Sequence, residues 1–459
     1  MREQFDAIVI GAGQAGPPLA ERLGQSGRKT ALIERHLVGG TCVNTGCIPT
    51  KTLVGSARVA QLARRAAEFG ISIDAPIGVD MARVKARKDR VAGASHDGVS
   101  SWIDGMKNVT FIRGHARFDG PHSIAAGKRL LAAEHIFINV GARARVPDLE
   151  GLERIDYLTN SSMMAVDFLP EHLLIVGGSY IGLEFAQMYR RFGAAVTVVE
   201  MQDRLISRED EDVSAAVHEI LEGEGVTIRL RAECLGFEPG PRGVRMSIDC
   251  AEDATPLDGS HVLLAVGRTP NTGDLGLEHA GIDTDAKGHI VVDDALETSV
   301  RGVYALGEAN GRGAFTHTSY NDFQIVAANL LDGEQRRVSD RIDCYALYID
   351  PPLGRVGQTE RQVRESQRKA LIGTRPMERV GRAREFGDTR GFMKVLVDAE
   401  NGQVLGASIL GMSGDEVVHS LLDVMYAKQP YSIVARAMHI HPTVTELLPT
   451  LLSGLEPLD

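Results

Sequence analysis

The chain of 459 residues contains no run of about 18 apolar residues, the length that a membrane-spanning helix needs. Its opening, MREQFDAIVIGAG, lacks a basic stretch followed by an apolar segment and a cleavage site, so the expected location is cytoplasmic, with no membrane partner. An excess of basic charge is also missing. Lys and Arg total 50 against 61 Asp and Glu, a net charge of −11, which argues against a general nucleic-acid surface and favours small-molecule chemistry. Cysteine is scarce and odd in number: of five, Cys234, Cys250 and Cys344 are scattered without metal-ligand spacing, so they are expected to be reduced bystanders and no metal site is expected. There is no low-complexity tract. With 43% hydrophobic residues, the chain has ample material for buried cores, and its length suggests about three domains.

What is present is concentrated in motifs. The segment GGTCVNTGCIPTK, residues 39–51, puts Cys42 and Cys47 five positions apart beside a glycine-rich turn. On an ideal helix that spacing is a rise of about 7.5 Å, whereas a disulfide prefers Cα atoms about 5.5–6 Å apart. A bridged pair therefore requires a distorted first turn, which Gly39, Gly40 and Gly46 permit and in which Pro49 fits an early helical position. A strained bridge is more easily reduced, so the pair reads as a redox-active disulfide. A structural disulfide and a metal site are the rival readings; the first is rare in a cytosolic chain, and the second needs further ligands nearby.

Two dinucleotide signatures organise the rest. In FDAIVIGAGQAGPPLAERL an apolar run enters Gly11, Gly13 and Gly16 and then a helix, and eighteen residues after Gly16 the strand TALIE ends at Glu34. This is the layout of a Rossmann βαβ unit, in which glycines admit a pyrophosphate, the helix N-terminus attracts it and the acid accepts from a ribose hydroxyl. Pro17 and Pro18 fall in the first helical turn, where missing N–H donors are tolerated. The second signature, HLLIVGGSYIGLEFAQMYRRFGAAVTVVE, repeats the plan with Gly177, Ser179 in place of the middle glycine, Gly182, and Glu200 at the strand end. That glutamate favours a free 2′-hydroxyl and hence NADH, while Arg204 and Arg208 could swing toward a 2′-phosphate and keep NADPH open. Near the C-terminus, His441-Pro442 followed by Glu446 supplies a base and an orienting acid. A histidine titrating near neutrality can move the thiol proton that disulfide exchange requires.

Two nucleotide folds around a cysteine pair imply two cofactors, one of them FAD. Together with LLAVGRTPNT at 263–272, TSVRGVYALGE at 298–308 and HPTVTE at 441–446, these motifs cover essentially the whole chain. The chain resembles the flavoprotein disulfide reductases, the class I pyridine nucleotide-disulfide oxidoreductases that include dihydrolipoamide dehydrogenase, glutathione reductase and mercuric reductase.

The resemblance implies an α/β fold with an FAD-binding Rossmann-like domain over residues 1–150 and 271–338, an NAD(P)-binding one inserted at 151–270, and an α+β dimerisation domain at 339–459. It implies a homodimer in which His441 and Glu446 of one subunit face Cys42 and Cys47 of the other. Gly11, Gly13, Gly16 and Glu34 would hold the adenosine half of FAD, and Gly307 and Glu308, the latter replacing the usual aspartate, its ribityl chain. Lys51 would lie by the flavin with Glu184 as its ion-pair partner, and Tyr180 would gate the nicotinamide pocket. Gly40, Thr41, Gly141, Thr316, His317, Gly267 and Arg268 complete the implied cofactor-binding set.

The implied reaction passes a hydride from NAD(P)H to FAD and on to the disulfide, with Cys47 against the flavin, Cys42 as the interchange thiol and His441 shuttling the proton. It can run in reverse from a dithiol to NAD+. The substrate stays open among a low-molecular-weight disulfide, a lipoyl group and an inorganic oxidant such as hypothiocyanous acid or a metal ion. DPPLGRVGQTE at 350–360 is similar to a mercuric-reductase segment, yet a C-terminal cysteine pair and an N-terminal Cys-x-x-Cys domain are absent from the sequence. A non-enzymatic flavoprotein sensor is the reading of another class. Arg58, Arg64 and Arg65, on the helix TLVGSARVAQLARRAAEF, are expected to be solvated.

Overall fold

The computed structural model describes residues 2–233, 235–248 and 255–458, so Cys234 and Cys250 lie outside the described residues. Strand β1 (Glu3–Ile10) carries the apolar run Ala7–Ile10, entirely buried, into the glycine turn; helix α1 (Gly16–Gln25) and strand β2 (Thr30–Glu34) follow. β1 pairs in parallel with β2, Ala7 opposite Thr30 through Ile10 opposite Ile33. With β3 (Val109–Arg113), β4 (Ala116–Gly120), β5 (Ser123–Ala126) and β6 (Arg129–Ile138) it forms a sheet in the order β3-β2-β1-β6-β5-β4. A seventh strand, Val303–Ala305, pairs in parallel with β6, so the chain leaves this sheet and returns to it much later. Continuous apolar runs suit a parallel sheet covered on both faces, and Ile8, Leu32, Ile136 and Phe137 sit at the centre of its core.

Between departure and return lies a five-stranded sheet that is parallel in each pairing, whereas in the first sheet β5 runs antiparallel to both β4 and β6; its order is Thr227–Arg229, Ala195–Val199, His172–Val176, His261–Leu264, Tyr157–Thr159. Arg268–Pro270 pairs antiparallel with Ala142–Ala144, stitching the chain's way in to its way out. The C-terminal part is an antiparallel sheet in the order Cys344–Leu347, Leu353–Gly357, Val404–Leu410, Phe392–Asp398, Ala370–Pro376, Glu456–Pro457. The segment EVVHSLLDVMYA splits into two short helices, Gly414–Val417 and His419–Tyr426.

The cysteine segment is divided between α2 (Gly40–Asn44) and α3 (Cys47–Arg64). α3 stops at Arg64, and Ala66–Phe69 continues as a 3₁₀ turn. Leu53 and Ala57 of α3 share one buried core with Leu173 and Ile175 of the five-stranded sheet and with Leu353 and Leu410 of the C-terminal sheet. The helix that begins at Cys47 is thus clamped where those sheets meet, which fixes the position of its first turn.

Candidate active site

The two glycine turns are built alike. Gly11 has φ +104° and Gly177 φ +113°, backbone that L side chains rarely adopt. A Cβ on Gly16 would lie 2.0 Å from the Gly11 carbonyl oxygen, and one on Gly182 2.0 Å from that of Gly177, so only glycine lets each helix approach its turn. Ser179 sits at φ −109°, an ordinary conformation, which is why the middle glycine is dispensable there. At each strand end the glutamate braces the turn: Ala12 and His36 donate their amides to Glu34 at 2.8 and 2.7 Å, and Gly178 and Gln202 donate to Glu200 at 2.6 and 2.9 Å. Carboxylate oxygens hold more than one lone pair, so both acids can still accept from a ribose hydroxyl. The narrow glycine cradles fit a pyrophosphate at both sites.

The cysteine loop is docked on the first of these turns. Gly39 donates its amide to the Ala12 carbonyl at 2.8 Å, and Gly40, at φ +60°, leaves room for Gly13, whose Cα a Cβ would meet at 2.9 Å. The expected distorted first helical turn is instead a complete break. Thr45 and Gly46 separate the two helices, and a Cβ on Gly46 would press to 2.8 Å from the Thr41 carbonyl oxygen. Breaking the helix frees the two sulfurs from the rise that a continuous helix imposes.

Both Cys42 and Cys47 are free thiols. The Cys47 pKa is drawn down to about 6, first by a hydrogen bond from Cys42 and then by Thr316 and Lys51, against burial and the charge of Glu184, which raise it. The Thr316 hydroxyl lies 3.3 Å from Cys47 Sγ. Cys42 is pushed far up, first by the hydrogen bond to Cys47, then by burial and by the charge on Cys47. The first proton lost from the pair therefore leaves the thiolate on Cys47.

Lys51, one turn along α3, donates to Glu184 at 2.7 Å, and its ammonium sits 4.7 Å from the centroid of the Tyr348 ring. Glu184 is buried and also accepts from the Tyr348 amide at 3.0 Å. Glu308 and Arg268, both in the implied cofactor-binding set, meet: Arg268 Nε lies 2.7 and 2.9 Å from the two carboxylate oxygens. Gly141 and Gly267 have φ +61° and +104° at the crossing between the sheets, where Arg145 donates to the Gly267 carbonyl and Asn271 to that of Gly141, each at 3.0 Å. His317 contacts the Cys344 carbonyl at 2.7 Å and stacks on Phe315. Tyr180 opens helix Tyr180–Phe192 with its ring edge-on to Phe315 and Tyr345.

His441 Nδ1 is 2.9 Å from Glu446 Oε2; the His441 side chain is 81% exposed, whereas the carboxylate is mostly covered. The structure joins this pair to each other, and among the described residues no hydrogen bond or ion pair links it to the cysteines within one chain. The arginine expectation holds for Arg58 and Arg64, which are exposed, and is corrected for Arg65, which is half-buried. Arg64 donates to the Arg191 carbonyl, and Arg65 binds Glu68 and the Gly387 carbonyl, so both tie the end of α3 to its neighbours. Arg58 stays largely exposed, 4.0 Å from Asp350.

Sequence reasoning missed Asn139, which donates to the Gly11 carbonyl at 3.2 Å, and Asp322, which accepts from the Gly307 amide at 2.8 Å. The only signal was a polar residue closing the apolar strand β6 in the first case and a buried acid inside helix Thr316–Leu331 in the second.

The family described as "Pyridine nucleotide-disulphide oxidoreductase" matches residues 5–322, and its dimerisation domain matches residues 344–452, which supports a homodimer. The chain is 36% identical over 458 residues to the "Probable pyridine nucleotide-disulfide oxidoreductase RclA" of Escherichia coli (strain K12), covering 98% of this chain and 99% of that one. It is 31% identical over 450 residues to the mercuric reductase of Streptomyces lividans, covering 97% and 94%. A solved structure, "HOCl-induced flavoprotein disulfide reductase RclA from Escherichia coli", superposes with a TM-score of 0.89 at 35% identity, covering 98% of this chain and 99% of the other. Among the described residues no helix is long and apolar enough to cross a membrane. The chain belongs to the pyridine nucleotide-disulphide oxidoreductase family, as an enzyme that works with FAD and NAD(P)H.

Proposed function

We propose that this enzyme reduces a small disulfide with electrons from NAD(P)H, through Cys42 and Cys47. The observation that carries this reading is the polarised pair: a Cys47 thiolate held by Thr316 and Lys51, beside a Cys42 that keeps its proton. FAD, when bound, accepts a hydride from NAD(P)H and hands two electrons to the cysteine disulfide. Residues 1–150 and 271–338 are assigned to FAD, 151–270 to the nicotinamide coenzyme and 339–459 to the subunit interface. The two braced glycine turns and the dimerisation match support that division. Lys51, anchored by Glu184, keeps positive charge beside Cys47.

With the pair open, Cys42 must lose its proton to attack, because only a thiolate is nucleophilic. His441, held at Nδ1 by Glu446, takes that proton at Nε2 and returns it to the departing thiolate. Attack on a substrate sulfur forms a mixed disulfide and releases one thiol; Cys47 then attacks Cys42, releases the second thiol and restores the Cys42–Cys47 bond. The exposed His441 ring supports a site shared across the dimer, with the histidine delivered to the partner subunit's pair.

Glu200 supports NADH over NADPH, since a carboxylate repels a 2′-phosphate, and Arg204 is turned toward Glu211, 3.4 Å away. Disulfide reduction suits a compartment where thiols are kept reduced, which supports a cytoplasmic location. A second reading, reduction of an inorganic oxidant or metal ion, is favoured by the likeness to the mercuric reductase and to a solved Cu(II) complex of RclA. The test measures NADH and NADPH consumption by the flavoprotein with a panel of disulfides, hypothiocyanous acid and Cu(II). Turnover with a disulfide supports the first reading and turnover only with the oxidants the second. Stoichiometric flavin reduction without turnover on any acceptor overturns both in favour of a redox sensor.

A further inference from the structure

Tyr348 touches both members of the Lys51–Glu184 ion pair, yet the proposed chemistry does not use it. It directly follows strand Cys344–Leu347 of the C-terminal sheet, in the part of the chain assigned to the subunit interface. The Lys51 ammonium sits 4.7 Å from the centre of its ring. Its backbone amide donates to Glu184 Oε1 at 3.0 Å, while Lys51 donates to Oε2 at 2.7 Å. A lysine is a compact charge on a flexible stem, and one hydrogen bond to Glu184 leaves it free to swivel. The ring face gives the charge a second, electron-rich neighbour within the range of a cation–π contact.

The chain holds the ring in place. Two residues on, the Asp350 amide donates to Gln187 Oε1 at 2.7 Å, its carbonyl accepts from Gln187 Nε2 at 2.9 Å, and its carboxylate binds Arg191 at 2.6 Å. Glu184, Gln187 and Arg191 follow one another at three and four residues along helix Tyr180–Phe192 and are all buried, so one face of that helix grips the Tyr348–Asp350 segment. Burial first, and then the charges of Asp415, Glu184, Cys47 and Glu416, hold the Tyr348 phenol above its ordinary pKa. It is therefore neutral while Cys47 titrates, and it meets Lys51 as a ring and not as a phenolate.

We propose that Tyr348 is a positioning residue of the redox centre: its ring and its amide clamp the Lys51–Glu184 pair, so that the ammonium stays beside Cys47 and stabilises the thiolate. The inference rests on the reading of Cys47 as the thiolate of the reduced pair. It gives the C-terminal part of the chain a duty within its own subunit, besides the interface. Cys42, Thr316, Lys51 and Glu184 are the groups that act on Cys47. Changing the Tyr348 side chain leaves Glu184 its backbone donor, so the effect is read through Lys51.

The experiment titrates the thiolate absorbance of the two-electron-reduced, FAD-loaded dimer against pH for wild type, Tyr348→Phe, Tyr348→Leu, Lys51→Met and the double variant of the last two. Tyr348→Leu removes the ring face and should raise the Cys47 midpoint by roughly half a unit, about a threefold loss of thiolate stability. Tyr348→Phe keeps the face and should hold the wild-type midpoint. Lys51→Met should raise the midpoint further, and in that background Tyr348→Leu should add nothing, because the ring acts through the ammonium. An unmoved midpoint in Tyr348→Leu with wild-type flavin absorbance, an equal shift in Tyr348→Phe, or an undiminished shift in the Lys51→Met background overturns the clamp. Should Tyr348→Leu not retain FAD, Tyr348→Met, a flexible apolar chain without a ring face, is read in its place. If the thiolate absorbance survives in Cys47→Ser, the reading of Cys47 falls and the clamp with it; if it is lost there and Tyr348→Leu leaves the midpoint unmoved, the clamp alone falls.

Discussion

Cys47 Sγ stands 3.3 Å from the Thr316 hydroxyl although 269 residues separate them in the chain. The contact places a hydrogen-bond donor on the one sulfur that carries the negative charge of the reduced pair, and it fixes an order of events: Cys47 holds charge, Cys42 holds the proton.

Lowering the pH of the reduced enzyme through about 6 should protonate Cys47 and abolish its thiolate absorbance, since the folded-state pKa lies below the thiol's ordinary value of 9.0. Thr316→Val removes a hydrogen bond to the charged form, so the midpoint should rise by roughly one unit. An unmoved midpoint would show that the hydroxyl does not stabilise the thiolate. The same depression makes Cys47 a contributor to stability that is complete above pH 9 and disappears as the pH falls through about 6.

Cys42→Ser should still accept one hydride per flavin from NAD(P)H yet lose disulfide turnover by orders of magnitude, because the attacking sulfur is gone. It should also leave Cys47 as a lone thiolate beside oxidised flavin, visible as a long-wavelength charge-transfer band. Retained turnover defeats the assignment of the interchange thiol, and a missing band reverses the order of the two cysteines.

Glu200→Gln should narrow or reverse a preference for NADH, measured as the ratio of kcat/KM for the two coenzymes. The substitution removes the charge that repels a 2′-phosphate while keeping an acceptor for the Gly178 amide. A wild-type enzyme that prefers NADPH contradicts the role given to this residue.

Arg191→Met tests the joint between helix Tyr180–Phe192 and the C-terminal sheet. Arg191, 2% exposed, binds Glu224 and Asp350, each at 2.6 Å. Removing one partner of a buried network leaves uncompensated charge and should cost about 3–5 kcal/mol, read as a lowered Tm of the FAD-loaded protein. A loss below about 1 kcal/mol would show that Arg390, which also binds Glu224 at 2.7 Å, suffices.

Mixing two inactive variants, Cys47→Ser and His441→Ala, should restore about a quarter of wild-type activity. Random pairing makes half the dimers mixed, and each mixed dimer has one intact shared site. Verified mixed dimers without activity would place the base in the same chain as its cysteines.

The motifs legible in the sequence are those that short-range geometry dictates. A glycine turn followed by a helix and an acid at the next strand end is complete within about 30 residues, so Gly11 to Glu34 and Gly177 to Glu200 announced their folds locally. His441 and Glu446 are likewise five residues apart and meet as expected. Spacing alone could not say how Cys42 and Cys47 come together: the chain breaks its helix at Thr45 and Gly46, because Gly46 can crowd the Thr41 carbonyl as no larger residue could. The fate of Arg64 and Arg65 was also beyond a linear reading, since their acceptors at residues 191 and 387 belong to other units. The same holds for Thr316 on Cys47, Glu308 on Arg268, and Glu209 on Tyr345. Each joins segments that no periodicity relates, at distances set by the packing of α3 and the sheets into their buried cores and not by local sequence.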